Sequence, residues 1–365
     1  MAVTLVVIIK LSRTPPFELR RGCTKHPSLL PEVSEAAMVM TLPASPASSL
    51  RGHSRSDSSS PYRGQHKADP PTMADKNRLL SQKQVPSWYS EPFIHGGYRP
   101  ITESAAFCLR SLTYLHNETV NIFSHLVPAA VALALASLVP WYFGAQFPRA
   151  AAADRLVFQL YLLGSVCCFA ASALFHTLLC HSERYRDLWV RVDYAAILAQ
   201  TLGCFVSGIY FSFYCEPHLQ RLYWAMIGTL TSMSAFVVLN PRFQSREWRP
   251  LRVGSFVATG LSAFAPITHA AVIFPYAQLD QQAGLRYYYL EGVLLLIGTF
   301  HYMSHLPEAW RPGAFDIWGS SHQVFHVLVV LSALAHLCGI LSAFRWNYEN
   351  PRCPSPHVVW GLGGF

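Results

Sequence analysis

Seven predominantly apolar stretches, at about 119–143, 156–179, 190–212, 220–240, 252–275, 287–305 and 320–343, follow one another down the chain. Each has the roughly 17–25 residues that a helix needs to cross a hydrocarbon layer of about 30 Å. Short connections carrying Arg, Pro, Glu or Gly separate them. The pattern predicts an all-α protein, a seven-transmembrane helix bundle over residues 118–345. The third and sixth stretches are the most polar: Arg191 and Asp193 open the third, and the sixth contains Glu291, His301 and His305.

The flanks differ in character. Residues 1–83 are rich in Ser, Pro and Arg, as in SPASSLRGHSRSDSSSP from Ser45 to Pro61. Such a composition cannot bury enough apolar surface to offset the entropy of ordering, so a disordered cytoplasmic tail is expected. Residues 84–117 form a juxtamembrane segment, in which Trp88, Tyr89, Phe93, Ile94 and Tyr98 precede a short helical pattern at about 104–116. Aromatic and amphipathic segments of this kind suit the headgroup layer. Residues 346–365 make a short tail on the far side.

Composition narrows the function classes. The chain is 52% hydrophobic and only 13% charged, against roughly 25% charged in an ordinary soluble domain, which argues against a single water-soluble core. All five lysines precede the first apolar stretch, so no span can carry a retinal Schiff base. The formal charge is +8, but 14 of the 28 Lys and Arg residues are scattered among Ser and Pro in the first 118 positions. That distribution reads as a cytoplasmic tail, with no nucleic-acid partner. The second, fourth and sixth connections hold eight arginines and the opposite side six, so with the basic N-terminal region the N-terminus is expected inside and the C-terminus outside. Nine cysteines form no CxxC pair, which argues against a thiolate zinc site or a disulfide framework. Cys215 and Cys353 both fall on the outer side, where they could pair.

Ionisable groups at membrane depth cost roughly 2.5–3.5 kcal/mol or more each and mark functional candidates. An odd-numbered span begins, and an even-numbered span ends, on the side of the N-terminus. Asn117, Glu118, Asn121 and His125 open the first span, Ser172 and His176 close the second, and Asp193 opens the third. His301 and His305 close the sixth, and His322 and His326 open the seventh, so all these residues converge on one leaflet. The i, i+4 spacing of His322 and His326 puts both imidazoles on one helix face. Adding His176 gives three neutral nitrogens, the ligand set of a catalytic zinc that keeps its fourth position for water, with Asp193 as that water's neighbour. Interhelical hydrogen-bonding histidines are the competing reading. Spacing does not rank His301 and His305 below the other pair, and Ser172 has the alternative of bonding back to the carbonyl four residues earlier. His269 and His336 lie deeper and read as structural. Glu291 falls near the opposite leaflet, within reach of Arg286, and suggests no chemistry.

The strings GGYRP (96–100), HNETVNIFSH (116–125), SALFHTLLCHSE (172–183), VDY (192–194), FYCEP (213–217) and LPEAWRPGAFDIWGSSHQVFH (306–326) resemble the adiponectin receptor group of the progestin and adipoQ receptor, or haemolysin III-related, family. The resemblance covers roughly residues 88–345 and suggests a fungal-type member. It implies seven transmembrane helices with a cytoplasmic N-terminus and Zn2+ in the inner-leaflet half, held by His176, His322 and His326. It further implies Asp193 beside the zinc-bound water and Ser172 in an SxxxH motif as catalytic residues, and leaves His301 and His305 outside the site. Residue 305 is often Arg in the family, so this rim of the cavity differs. The implied activities are hydrolysis of a ceramide-like lipid amide, reception of a lipid or protein ligand, and lipid and zinc homeostasis. Two readings are carried forward: an intramembrane zinc hydrolase, and a receptor whose zinc is structural. Transport of zinc fits less well, because a closed three-histidine site offers no release on both sides.

Overall fold

The computed structural model describes residues 78–351 and residue 353; most of the predicted N-terminal tail and nearly all of the C-terminal one lie outside them. Among the described residues every regular element is helical, apart from one isolated bridge in which Leu80 and Tyr98 exchange backbone hydrogen bonds. A short juxtamembrane helix, α1 (Ala105–Arg110), is N-capped by the Ser104 hydroxyl and ends in a 3₁₀ turn, inside the stretch predicted for it.

The first four predicted spans are the long helices α2 (Thr119–Gln146), α3 (Ala152–Leu178), α4 (Glu183–Ser212) and α5 (Pro217–Leu239). Pro217 sits in the first turn of α5, where its missing N–H is no loss. Asp154 starts α3 by accepting from the Ala151 N–H, while its other oxygen takes the hydroxyls of Tyr210 and Tyr214 from the end of α4. One buried carboxylate thus ties two helix ends together.

The fifth span is broken. It runs as α6 (Arg249–Leu261) and α7 (Phe264–Ile273), with the interruption at Ser262 and Ala263. Pro266 explains the break: it has no N–H to give to Ser262, and its ring crowds that carbonyl four residues earlier. A short helix absent from the sequence-based expectation, α8 (Tyr276–Ala283), leads into α9 (Leu285–Ser304), the sixth predicted span, and a long loop precedes α10 (Ser321–Glu349). Gly284 joins α8 to α9 at φ +73°, and a Cβ there would stand 2.5 Å from the carbonyl oxygen of Gly339 on α10. Only glycine permits both the conformation and this backbone approach, which sets α9 close against α10.

Among the described residues, six segments are long and apolar enough to cross a membrane, with α6 and α7 together counting as one. The helix α9 has 20 residues, but Arg286, three consecutive tyrosines and Glu291 shorten its apolar run, and it is not among the six. Outward faces carry bare apolar side chains: Val272 is 81% exposed, Trp141 72% and Phe236 67%, as lipid contact requires. Inside, Phe143, Phe158, Phe211 and Phe344 from four helices pack with ring centroids 4.8–6.5 Å apart at the end where α2, α4 and α10 finish. Beyond that end Cys215 and Cys353 form a disulfide.

Candidate metal centre

The predicted polar convergence is present at the opposite end of the bundle. His322 Nε2 lies 3.2 Å from His176 Nε2 and 3.1 Å from His326 Nε2, so α10 supplies two imidazoles and α3 one. His176 and His326 are 3% and 2% exposed. The outer nitrogens fix the tautomers. His176 Nδ1 is 2.7 Å from a Glu118 carboxylate oxygen, which accepts, so Nδ1 carries the proton. His326 Nδ1 is 3.1 Å from the Asn121 carbonyl, with the same consequence. Both Nε2 atoms therefore present bare lone pairs to the centre, and the single Nε2 proton available to a neutral His322 satisfies only one of them.

A tetrahedral zinc ion holding imidazole nitrogens at about 2.0–2.1 Å sets them about 3.3 Å apart. The observed spacings and the uncompensated lone pair fit such an ion. The supporting layer fits too, because metal-bound imidazoles donate their other N–H to a carboxylate or a carbonyl, as Glu118 and Asn121 provide here. Asn121 also donates to Glu118 from its amide nitrogen at 2.7 Å. His125 stacks on His326 with centroids 3.9 Å apart, holding its plane.

Each helix end that bears a ligand is pinned. Arg99, wholly buried, donates to the carbonyls of His176 and Thr177 at 2.6 and 2.9 Å and to the Ser111 hydroxyl at 2.9 Å. A cation thus caps the carbonyl end of α3, where the helix dipole favours positive charge. Glu308 accepts from the Ser321 backbone N–H at 2.7 Å and from the Ser321 hydroxyl, which pins the start of α10. Asp316 accepts from His95 N at 2.8 Å, tying this loop to the juxtamembrane segment.

Residues 113–337 match the family model described as Haemolysin-III related. The chain belongs to the haemolysin-III related family. It is 37% identical over 273 residues to the ADIPOR-like receptor IZH2 of Saccharomyces cerevisiae, covering 73% of this chain and 84% of that one. It is 32% identical over 280 residues to the adiponectin receptor protein of Drosophila melanogaster, covering 76% of this chain but only 62% of the fly protein's length. Heptahelical transmembrane protein 3 of Arabidopsis thaliana is 29% identical over 312 residues, covering 76% and 90%. Like these haemolysin-III related relatives, it is an integral membrane protein.

The other sequence-predicted residues divide. Asp193 is half-buried on α4 and forms no hydrogen bond or ion pair. Ser172 is 3% exposed, one turn from His176, and makes no back-bond of the kind that Ser165 and Thr177 make to the carbonyls four residues earlier. His301 and His305 stay outside the cluster: His301 meets the Leu306 carbonyl and His305 meets Arg249. Glu291 does not pair with Arg286, which is bound to Asp280; it faces His336 instead. Sequence reasoning placed Glu118 at this leaflet without a role, and gave Arg99 and Glu308 none; the strings HNETVNIFSH, GGYRP and LPE were their only signal.

Proposed function

We propose that the protein is a zinc-dependent lipid amide hydrolase of the membrane interior, acting on ceramide-like substrates and linked to lipid and zinc homeostasis. In this reading it has seven crossings and a cytoplasmic N-terminus. The observation that carries it is the opposed, unprotonated Nε2 atoms of His176 and His326 beside His322, inside an apolar bundle. Those three atoms would hold the ion. Bound there, zinc would supply a Lewis acid for the substrate carbonyl and lower the pKa of a water toward 7.

Asp193 takes the proton of the attacking water and later returns it to the leaving amine. Ser172, free of any backbone partner, offers its hydroxyl to the amide. Glu118 and Asn121 hold the His176 and His326 rings in their productive tautomers. The scissile bond of a ceramide-like lipid lies near the headgroup boundary, where these residues gather, and its chains match the exposed apolar helix faces. The arginine-rich connections and the Cys215–Cys353 disulfide, at the end remote from the histidines, support the orientation, since disulfides persist in oxidising compartments.

A second reading, a receptor in which the metal only ties α3 to α10, is favoured by the names of the fly and yeast relatives. Zinc content and fatty-acid release from ceramide, measured on purified wild type and on Asp193→Asn, separate the two. The hydrolase reading expects full zinc and a loss of about 10²- to 10⁴-fold in turnover. Unchanged turnover in Asp193→Asn removes the catalytic role, and metal-free wild type removes both readings.

A further inference from the structure

About 15 Å beyond His326, ten residues further along α10, lies a second set of donors that the first centre does not use. Cys204 on α4, Glu291 on α9 and His336 on α10 each bring one donor atom to within 4.8 Å of the others. The His336 ring, 2% exposed, lies between Tyr161 and Tyr288, with centroids 4.8 and 5.1 Å away. The Tyr288 hydroxyl is buried without a hydrogen-bond partner.

The hydrogen-bond directions around His336 leave a gap in charge. The Ser207 hydroxyl lies 2.7 Å from the Gly203 carbonyl and 3.0 Å from the Cys204 carbonyl, both of which only accept, so its proton points to them. Its oxygen therefore accepts from His336 Nε2 at 2.8 Å, and Nε2 carries the ring proton. In a neutral imidazole Nδ1 is then bare, yet it stands 2.7 Å from a Glu291 carboxylate oxygen. A lone pair facing an anionic oxygen in a water-poor interior is repulsive unless positive charge sits with them.

We propose that Cys204, Glu291 and His336 form a second cation site, which takes one divalent ion of the zinc and cobalt class. Thiolate, carboxylate and imidazole are the donor types such ions accept. One thiolate and one carboxylate neutralise a dication, so the assembly carries no net charge where charge is expensive. The bond from Nε2–H to Ser207 is the outer contact that metal-bound imidazoles keep. Gln200 donates to the Cys204 sulfur at 3.6 Å and accepts from Ser165 at 3.0 Å, orienting the thiol. The site does not depend on the one at His176, His322 and His326. Its rival is a single proton shared between His336 and Glu291, with the thiol uninvolved.

Cobalt substitution of the purified, metal-stripped full chain distinguishes them. The first centre contains only imidazole nitrogens, so a thiolate-to-cobalt charge-transfer band in the near ultraviolet reports the second site alone. The expected result is about two cobalt ions per chain with that band, and about one ion without it in Cys204→Ser or Glu291→Gln. In His322→Ala the band is expected to persist while the first ion is lost, so failure of either centre is read separately. Wild type that shows no charge-transfer band on cobalt loading, or a band that survives in both Cys204→Ser and Glu291→Gln, overturns the proposal. The two variants are independent, so a folding failure in one leaves the other to decide.

Discussion

His176 donates its Nδ1 proton to Glu118 across 2.7 Å, and both side chains are buried. The pairing does two things at once. It turns the Nε2 lone pair toward His322 and His326, and it fixes the plane of the ring through the carboxylate behind it.

Glu118→Gln keeps an oxygen in place but removes the charge. Loss of such outer partners typically weakens metal binding 10- to 100-fold. Zinc retention during titration with a competing chelator measures it, and unaltered retention would show that Glu118 is only a packing residue.

Arg99→Met leaves the carbonyls of His176 and Thr177 and the Ser111 hydroxyl without their donor. Stranding buried acceptors costs on the order of 1–3 kcal/mol each. Thermal unfolding in lipid nanodiscs should therefore show a clear loss of stability, accompanied by lower zinc occupancy because the end of α3 is no longer held. Arg99→Lys, with donors but no fork, should recover part of both.

His116 makes stability fall on acidification. Burial, reinforced by the Arg99 guanidinium, holds its imidazole down at about 3, against an ordinary 6.5. The unfolded chain binds a proton below about 6.5 that the folded chain does not bind until about 3, so stability falls as pH drops through that window. Above 6.5 the contribution is complete. The difference in unfolding free energy between wild type and His116→Asn, followed from pH 7.5 to 5, should shrink steadily toward acid; a constant difference would contradict it.

Phe143→Ala tests the far end of the bundle. Removing a buried phenylalanine typically costs about 3–5 kcal/mol, and Phe143 is 1% exposed among Phe158 and Phe344. Stability should drop by that order while zinc content of the surviving folded protein stays at its wild-type level, since the histidines lie at the other end. Loss of zinc alone would break this separation.

Span parity gathered these polar groups at one end of the bundle, but only the family resemblance ranked His176, His322 and His326, from two distant helices, above His301 and His305. Rotation about each helix axis was not readable. Lipid is as apolar as a bundle interior, so a membrane helix carries little amphipathic stripe to show which face turns inward. That is why Glu291 read as a neighbour of Arg286, five residues away in sequence, when its helix turns it toward His336. The break in the fifth span did have a signal, Pro266, which a search for continuous apolar length passes over. Arg99 was hidden for another reason: a cation in a loop ordinarily faces water, and only the folded juxtamembrane segment, with Tyr89 and Tyr98 packed over Cys180, encloses it.

The four phenylalanines where α2, α4 and α10 end stopper the bundle on that side. Aromatic side chains from four helices therefore fill the bundle between those ends, remote from the histidines.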